Sequence, residues 1–329
     1  MSYQEAKTNF EALFKGTMPE EDARDYLIAL YERGESVQEL QAAVEVMRSH
    51  MVPFETPATI QKQLIDNCGT GGDKSGSFNI STTVSILLAS LGCYVAKHGN
   101  RSITSRSGSA DMLEALGITL DLDQDKQRTM LEETGFVFLF AQMYHPAMKH
   151  IMPIRKSISH RTIFNFLGPL CNPAGVTRQF IGVYDPDFVS PLIQVLKATG
   201  STRAMVACGK DGLDEISISA KTAVCDLDGK GDIHCYDLSP DQLGIQRAEK
   251  DAISGGTAEE NAFITRQILT GHVEGPKRDI VRINAAASLV VAGKAPDMAT
   301  GIAMADDAID SGKARIKLEQ IIQVSQRLA

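Results

Sequence analysis

The chain has 329 residues, of which 43% are hydrophobic and 22% are charged, as is ordinary for a globular protein of one large or two modest domains. Lysine and arginine number 33 against 41 aspartates and glutamates, and the net charge of −8 argues against a general affinity for nucleic acid or anionic membrane. No apolar run approaches the ~20 residues of a membrane span, and the polar N-terminus shows no signal peptide.

The cysteines are scattered and none forms a C-x-x-C pair. They are Cys68, Cys93, Cys171, Cys208, Cys225 and Cys235. This spacing suggests neither a zinc site nor a disulfide framework. We therefore expect reduced thiols and a cytoplasmic location.

The first fifty residues have the pattern of amphipathic helices. Pro19 and the acids after it are typical of a helix start, and Gly34 of a helix end. Ser36 and Glu39 have the spacing of a capping box for the next helix, which extends to about residue 50. These features predict a small helical domain over residues 1–62, completed by helices within about 145–170. Because the chain offers little to cover both apolar stripes, we expect a dimer through this layer.

From residue 63 onward, strand patterns alternate with helix patterns. Strands are predicted over 63–65, 93–97, 136–140, 179–184, 203–208, 216–220, 223–228 and 233–236. Helices are predicted over 79–92, 109–116, 123–134, 146–158, 186–199 and most of the chain after a capping box at Thr257 and Glu260. Residues 162–170 fit either element. The alternation predicts an α/β domain over 63–329, with a mainly parallel central sheet flanked by helices on both faces.

A glycine-rich stretch, residues 66–73, lies between the first predicted strand and the helix that begins near Asn79. Backbone N–H groups in such a loop and at a helix start favour phosphate, and glycines let the backbone approach a bulky anion. Asn79, Ser81 and Thr82 could cap the helix or offer oxygen atoms to a ligand or metal. The alternative, a tight surface turn, stays open on this stretch alone.

A second polar loop follows the second predicted strand. Lys97 and Arg101 suit a polyanion, and the hydroxyl-rich residues 102–109 lead into another helix start. Ligands bind at the carboxyl ends of parallel strands, so two such loops on successive strands favour phosphate binding over an ordinary solvated loop.

Two further groups have the chemistry of a binding site. Asp214 and Glu215 are adjacent acids that could hold Mg²⁺ together with substrate phosphates, although a charged turn is the commoner meaning of such a pair. Arg155 lies ten residues beyond His145 on a predicted helix and could bind a carboxylate with two parallel hydrogen bonds. A lone histidine such as His145 is more often structural.

The motifs GTGGD, NIST, KHGNR, SGSAD, YHPAMK, RTIFNFLGPLCNPA and DGLDE occur in the order and spacing typical of anthranilate phosphoribosyltransferases. The chain resembles this family from about residue 67 to 215, and more weakly at both ends. The resemblance implies the fold shared with pyrimidine nucleoside phosphorylases and a homodimer formed through the helical domain. It also implies a Mg²⁺-dependent transfer, with two ions expected, of the phosphoribosyl group of 5-phosphoribosyl 1-pyrophosphate to the amine of anthranilate, in tryptophan biosynthesis.

The resemblance also implies roles for individual residues. Those expected to contact phosphoribosyl pyrophosphate are Gly69, Gly72, Asp73, Ser77, Asn79, Ile80, Ser81, Thr82, Lys97, His98, Gly99, Asn100, Arg101, Ser102, Ser105 and Ser109. Those expected around anthranilate are Gly69, His98, Asn100, His145, Arg155 and Pro169. Ser81, Asp214 and Glu215 would serve Mg²⁺. No residue is assigned as a nucleophile or as an acid or base.

The chain departs from the family pattern at two places. The family often has proline where Gln142 stands, and Leu-Gly where Ile158 and Ser159 stand. Both changes bear on the shape of the anthranilate tunnel. Two rival functions remain: a nucleoside phosphorylase, whose usual first-loop signature differs from this one, and a non-enzymatic nucleic-acid-binding relative, which would need a basic face.

Overall fold

The computed structural model describes residues 1–73, 75–102 and 106–329. Within them one sheet has the strand order β3-β2-β1-β4-β5-β6-β7. The strands are β1 (Leu64–Gly69), β2 (Tyr94–Gly99), β3 (Phe136–Phe140), β4 (Arg178–Gly182), β5 (Arg203–Gly209), β6 (Thr222–Leu227) and β7 (Ile233–Leu238). Neighbouring strands among β1 to β5 pair in parallel, whereas β6 pairs antiparallel with both β5 and β7.

Helices precede, separate and follow these strands. They are α1 (Tyr3–Lys15), α2 (Glu20–Arg33), α3 (Val37–Ser49), α4 (Ala58–Gln61), α5 (Ile80–Ser90), α6 (Ser109–Ala115), α7 (Gln124–Thr134), α8 (Ala141–Tyr144), α9 (Met148–Ser157), α10 (Phe164–Leu170), α11 (Val189–Ala198), α12 (Ala258–Leu269), α13 (Pro276–Ala292), α14 (Met298–Asp310) and α15 (Lys313–Leu328). Short 3₁₀ turns occupy Pro186–Phe188, Pro240–Leu243 and Lys250–Ile253.

Alternate residues of the strands bury their side chains on opposite faces of the sheet. Phe180 and Met205 join one apolar cluster with α5 and α13, whereas Ile181 and Val206 join another with α3, α10 and α11. This period of two, with both faces apolar, is expected of a parallel sheet covered by helices on each side. The predicted fold class is confirmed.

The three N-terminal helices share an apolar cluster with a later part of the chain. Leu27 and Val44 are fully buried in this cluster, together with Ile151 of α9 and Phe164 of α10. The apolar stripes of α2 and α3 are therefore covered within the chain itself. Because α1, α9, α10 and α11 supply much of that cover, the stripes alone do not require a second subunit, and the dimer stays a prediction.

Two predicted features differ in the structure, and a third segment that the sequence left open is a helix. Residues 216–220 are not a strand: the side chain of Asn284 binds both the N–H and the C=O of Ile216, so these groups have no need of a neighbouring strand. Residues 66–69 belong to β1 and not to the loop. The ambiguous residues 162–170 contain the helix α10, with Pro169 inside it.

The cysteines are not all free. Cys225 and Cys235 form a disulfide, which corrects the expectation of six reduced thiols. The two residues face each other directly in the antiparallel register of β6 and β7. Their positions in two neighbouring predicted strands, 223–228 and 233–236, were the available signal. Among the described residues, no helix is long and apolar enough to cross a membrane.

The packing of α13 against α14 gives a test of the core. A Cβ on Gly301 of α14 would lie 2.7 Å from the Cα of Ala286 of α13. Alanine in place of a helical glycine gains up to about 1 kcal/mol, but overpacking costs about 1–3 kcal/mol. We expect Gly301→Ala to lower the free energy of unfolding by about 1–2 kcal/mol, measured by urea denaturation. Gly229→Ala is the control because a Cβ there meets only the Arg203 side chain at 3.7 Å; equal stability of the two variants would contradict the prediction.

Candidate active site

The carboxyl ends of β1, β2, β4 and β5 form the edge of the sheet where the polar motifs meet. The glycine-rich turn, residues 69–73, follows β1 and is joined to β4 by a hydrogen bond from Thr70 N to Gly182 O (2.9 Å). The second polar loop, residues 99–108, follows β2. The acidic loop, residues 210–215, follows β5. Three predicted motifs that are distant in sequence therefore share one edge.

The acidic loop lies directly against the ends of β1 and β4. The Gly71 N–H donates to Asp214 Oδ2 at 2.7 Å. A Cβ on Gly69 would lie 2.3 Å from the same oxygen, and a Cβ on Gly182 would lie 1.6 Å from the Asp214 carbonyl oxygen. Only glycine at these two strand ends allows the acids so close. This approach is the structural reason for glycine at both positions.

The acids at this point are buried and close to one another. Asp214 and Glu215 are 9% and 6% exposed. Burial, and then the charge of Asp73, raises the pKa of Asp214 to about 7. Burial, and then the charge of Asp214, raises the pKa of Glu215 well above its usual range. Ionised carboxylates so placed require a compensating cation.

A buried oxygen in the same place has no hydrogen-bond donor among the described residues. Asp73 Oδ2 accepts from none of them, although Oδ1 accepts from the Ser75 N–H at 3.2 Å, and the Asp73 carboxylate lies close to that of Asp214. No three His, Cys, Asp or Glu side chains in the described part of the chain converge as a complete ligand set. Mg²⁺ commonly binds through one or two carboxylates and completes its shell with waters and substrate phosphates, so the residues present fit that ion.

The buried lysine of β2 supports the strand beside it. Lys97 is 2% exposed, and its Nζ donates to Asn67 O at 2.8 Å and to Ser81 Oγ at 3.3 Å. Asp66, fully buried in β1, accepts from Asn172 Nδ2 at 2.8 Å, and burial raises its pKa to about 6. These bonds fix the positions of β1, β2 and the first turn of α5 relative to one another.

The start of α5 is held by side chains from elsewhere in the chain. Asn79 occupies the N-cap position, but its side chain makes no capping bond, which corrects the sequence expectation. Its Oδ1 accepts from Ser107 Oγ (3.1 Å) and from Asn261 Nδ2 (2.9 Å). The start of α5, the second polar loop and α12 are thus joined by hydrogen bonds at the Asn79 amide.

Acids of α6 bind the described residues on either side of the second polar loop. Arg101 forms ion pairs with Asp111 (3.0 Å) and Glu114 (2.6 Å), and Asp111 also accepts from the N–H groups of Ser102 and Gly108. The charge of Arg101 is therefore neutralised by the chain itself, which the sequence did not indicate. Ser105 lies outside the described residues.

A pair of histidines lies beside the sheet edge. His98 Nδ1 lies 3.0 Å from Gly168 O, and the Nε2 atoms of His98 and His145 lie 3.2 Å apart. Burial lowers the pKa of His98 to about 3 and that of His145 to about 4. In the neutral pair, His98 donates from Nδ1 to Gly168 and accepts at Nε2 from His145, which satisfies both contacts.

The arginine expected to bind a carboxylate is half-buried on α9. Its guanidinium carbon lies 5.6 Å from the centroid of the Phe164 ring. Burial lowers the pKa of Arg155. Within the described residues its side chain has no ion pair or hydrogen bond. Its charge is thus available to a ligand.

Sequence reasoning missed several residues that organise this edge. Asn172 and Asn261 are buried amides that position Asp66 and Asn79. Asn261 occupies a buried position of an amphipathic helix, where a polar residue is itself a signal. Asn172 and Arg161 lie inside a recognised motif, but nothing in the sequence showed what they contact.

Comparison with known proteins agrees with this arrangement. Two protein-family models match the chain. The family described as glycosyl transferase family, a/b domain, matches residues 61–315, and the family described as glycosyl transferase family, helical bundle domain, matches residues 1–51. Fold and site thus define a glycosyl transferase built from a helical bundle and an α/β domain.

Individual relatives are more specific. The chain is 45% identical to anthranilate phosphoribosyltransferase of Methanobrevibacter smithii, covering 98% of this chain and 95% of the relative. It is 46% identical to the enzyme of Rhodopseudomonas palustris, covering 99% and 94%. The crystal structure of the Thermus thermophilus enzyme superposes with a TM-score of 0.92 at 39% identity, covering 99% of this chain and 96% of that one. A Saccharomyces cerevisiae enzyme in complex with PRPP (phosphoribosyl pyrophosphate) and Mg superposes with a TM-score of 0.85 at 26% identity, covering 97% and 91%. The chain belongs to the anthranilate phosphoribosyltransferase family, which confirms the resemblance drawn from its motifs.

The buried histidines predict an acid-sensitive stability. Unfolded histidine titrates near pH ~6.5, whereas in the folded chain the pKa values of His98 and His145 are lowered to about 3 and about 4. The unfolded chain therefore binds protons first, and stability present above pH ~6.5 is lost as the pH falls toward 4. Between pH 7 and 5 the two histidines contribute a loss of about 2 kcal/mol per imidazole. Asp66 and Asp214, with folded pKa values of about 6 and about 7, act in the opposite direction over this range, so the histidine contribution is measured by urea unfolding as the difference between the wild type and a variant without the two imidazoles.

Variants test the source of this slope. The double variant His98→Gln/His145→Gln should lose the histidine contribution to the pH dependence of the free energy of unfolding. The variant His272→Gln, at an exposed position, should keep it. A slope unchanged in the double variant would assign the acid sensitivity to other groups.

Proposed function

We propose that the chain transfers the phosphoribosyl group of phosphoribosyl pyrophosphate to the amine of anthranilate, giving N-(5-phosphoribosyl)anthranilate and pyrophosphate, in tryptophan biosynthesis. The observation that supports this best is the contact between the glycine-rich turn and the buried acids Asp214 and Glu215, with 2.7 Å from Gly71 N to Asp214 Oδ2. An exposed glycine turn suits a phosphate group, and acids beside it suit the Mg²⁺ that accompanies pyrophosphate.

Phosphoribosyl pyrophosphate would bind across the glycine-rich turn, the start of α5 and the second polar loop. The residues proposed to contact it are Gly69, Gly72, Asp73, Ser77, Asn79, Ile80, Ser81, Thr82, Lys97, His98, Gly99, Asn100, Arg101, Ser102, Ser105 and Ser109. Of these, Lys97 would act mainly from within the fold, because it is buried under Ser81.

Asp214, Glu215 and Ser81 would hold Mg²⁺, with two ions expected from the family resemblance. The unpartnered oxygen of Asp73 supports a cation at this place. Bound there, Mg²⁺ would neutralise charge that develops on pyrophosphate as its bond to C1 of the ribose breaks.

Anthranilate would lie toward the histidine pair, with its carboxylate on Arg155 and its amine oriented by Asn100. His98, His145, Pro169 and Gly69 would line its site. The neutral state of the two histidines suits a flat aromatic ring, because it adds no second cation beside Arg155. The Pro-to-Gln142 and Leu-Gly-to-Ile158-Ser159 differences would alter the entrance and not the reaction.

The chain's own residues would act by binding and orientation. The amine of anthranilate is weakly basic, so loosening the leaving group does more than deprotonating the nucleophile. Backbone N–H groups of the turn would stabilise charge on pyrophosphate, and holding both substrates in line would supply much of the remaining acceleration. We assign no nucleophile and no general acid or base.

The organisation of the chain follows the same proposal. Residues 1–62 would form the small helical domain, completed by α9 and α10, and residues 63–329 the phosphoribosyltransferase domain. The enzyme would act in the cytoplasm as a homodimer through the helical domain, an expectation that now rests on the family resemblance.

The direct test is the loss of anthranilate fluorescence on addition of phosphoribosyl pyrophosphate and Mg²⁺. A Mg²⁺-dependent decrease supports the proposal. Release of a free nucleobase from a nucleoside and phosphate would instead indicate the phosphorylase. Absence of both, together with salt-sensitive binding to nucleic acid, would indicate the non-enzymatic relative.

The metal proposal has its own test. Asp214→Asn/Glu215→Gln should raise the Mg²⁺ concentration for half-maximal rate and lower turnover, because neutral side chains bind Mg²⁺ weakly. Rates would be measured across a Mg²⁺ titration. Asp125→Asn is the control, since that exposed acid of α7 pairs with Arg128 on the same helix and lies outside the proposed site. An unchanged Mg²⁺ requirement in the double variant would refute the assignment.

The carboxylate proposal predicts a selective loss. Removing a charged hydrogen bond costs roughly 1.5–3 kcal/mol, so Arg155→Ala should lower kcat/KM for anthranilate by about 10- to 150-fold. Arg155→Lys should rescue only partly because a point charge cannot reproduce two parallel bonds. Both Michaelis constants and the melting temperature would be measured, with the exposed neighbour Lys156→Ala as control. Parallel losses for both substrates with a lower melting temperature would show a structural role instead.

The dimer is tested by mass. Light scattering at micromolar concentration should give twice the mass of one chain. A monomeric mass that persists at higher concentration would count against the homodimer.

A further inference from the structure

Arg161 lies between the end of β4 and the glycine-rich turn. Its guanidinium carbon is 3.3 Å from the centroid of the Tyr184 ring, two residues beyond the end of β4. A Cβ on Gly72 would lie 3.0 Å from its Nη2 and 3.3 Å from its Nε. The Arg161 side chain therefore lies between the glycine-rich turn, which follows β1, and Tyr184, which follows the neighbouring strand β4.

The charge of Arg161 is not consumed by an acid. Within the described residues its side chain forms no ion pair with a carboxylate, unlike Arg33 and Arg101, which pair at 2.7 and 2.6 Å. The nearest acid along the chain beyond Tyr184, Asp185, accepts instead from the Asp187 N–H at 3.0 Å. The Tyr184 ring covers one face of the guanidinium and the Tyr184 hydroxyl is within reach of one donor, so the other edge donors remain for an anion.

We infer that Arg161 binds the pyrophosphoryl group of the phosphoribosyl donor, with Tyr184 as the residue that positions it. This inference rests on the proposed function. A guanidinium presents its donors in a fixed fork that matches phosphate oxygens, and the exposed glycine turn directly beneath it suits the same group. Arg155, over Phe164, is a separate cation for the other substrate.

The position also fits the reaction. The C1–N bond forms as the C1–O bond breaks, both electrons of the C1–O bond leave with pyrophosphate, and the amine releases a proton. Negative charge therefore grows on the group beneath Arg161. Asp73, Asp214 and Glu215 lie at this edge and, wherever they are ionised, would repel that group; Arg161, which lies against Gly72 of the same turn, offsets them.

The experiment measures pyrophosphate binding by calorimetry in the presence of Mg²⁺, without catalysis. Arg161→Gln should weaken binding by about 10- to 100-fold, as expected for a lost charged hydrogen bond. Arg161→Lys should fall between this variant and the wild type. Tyr184→Phe, which keeps the ring, should bind nearly as the wild type, whereas Tyr184→Leu should bind several-fold more weakly. Arg327→Gln is the control for net charge because that arginine pairs with Glu133 on an exposed surface.

Steady-state kinetics with both substrates provide a second test of the inference. Arg161→Gln should lower kcat/KM for phosphoribosyl pyrophosphate and leave the KM for anthranilate unchanged. Unchanged pyrophosphate affinity, or a loss confined to anthranilate, overturns the inference. If Arg161→Gln does not fold, Arg161→Lys and Tyr184→Leu decide the question at matched melting temperature. If the wild type transfers nothing to anthranilate, the proposed function fails, while the pyrophosphate titration still reports on Arg161.

Discussion

The site depends on one close approach of backbone, that of the Asp214 segment to the ends of β1 and β4. At Gly182 a single added carbon would lie 1.6 Å from the Asp214 carbonyl oxygen, and at Gly69 it would lie 2.3 Å from the carboxylate. Rotation of a side chain cannot relieve the clash at Gly182, because the backbone fixes the position of a Cβ and the atom it would meet is a backbone carbonyl oxygen. The acids therefore reach the glycine-rich turn only because two parallel strands end in glycine at the same level of the sheet.

This approach has an electrostatic cost that the fold does not remove. Burial raises the pKa values of Asp66, Asp214 and Glu215. The charge of Asp73 raises those of Asp214 and Glu215 further, and the charge of Asp214 adds to that of Glu215. Lys97 partly offsets the charge of Asp66 and Glu215 from within the fold. The remaining negative charge of these acids is left uncompensated at the edge of the sheet formed by the carboxyl ends of the strands. An edge of this kind gains from a cation when a ligand brings one, and for that reason it contributes to binding more than to stability.

The sequence predicted what local chemistry decides and failed where distant groups decide. The capping boxes at Ser36 and Thr257 form as expected, because each is complete within four residues. Residues 216–220 had a strand pattern, yet Asn284 from α13 takes the hydrogen bonds that a strand would need. Asn79 had the identity of a cap, yet Asn261 and Ser107 occupy its oxygen. Motifs showed where ligands would bind, but not which cations would remain unpaired there.

The cations show why that last point matters. In a chain of net charge −8, carboxylates outnumber cations, and Arg101 forms ion pairs with two of them. Arg155 and Arg161 instead lie over aromatic rings, Phe164 and Tyr184. A ring holds a guanidinium in place without neutralising it. Arg101 also lies over a ring, 5.7 Å from the centroid of Phe140, so a ring alone does not mark a cation that is left for a ligand. Arg155 and Arg161 differ from Arg101 because, among the described residues, neither pairs with a carboxylate. Substrates that carry a carboxylate and a pyrophosphate need two such cations at different positions.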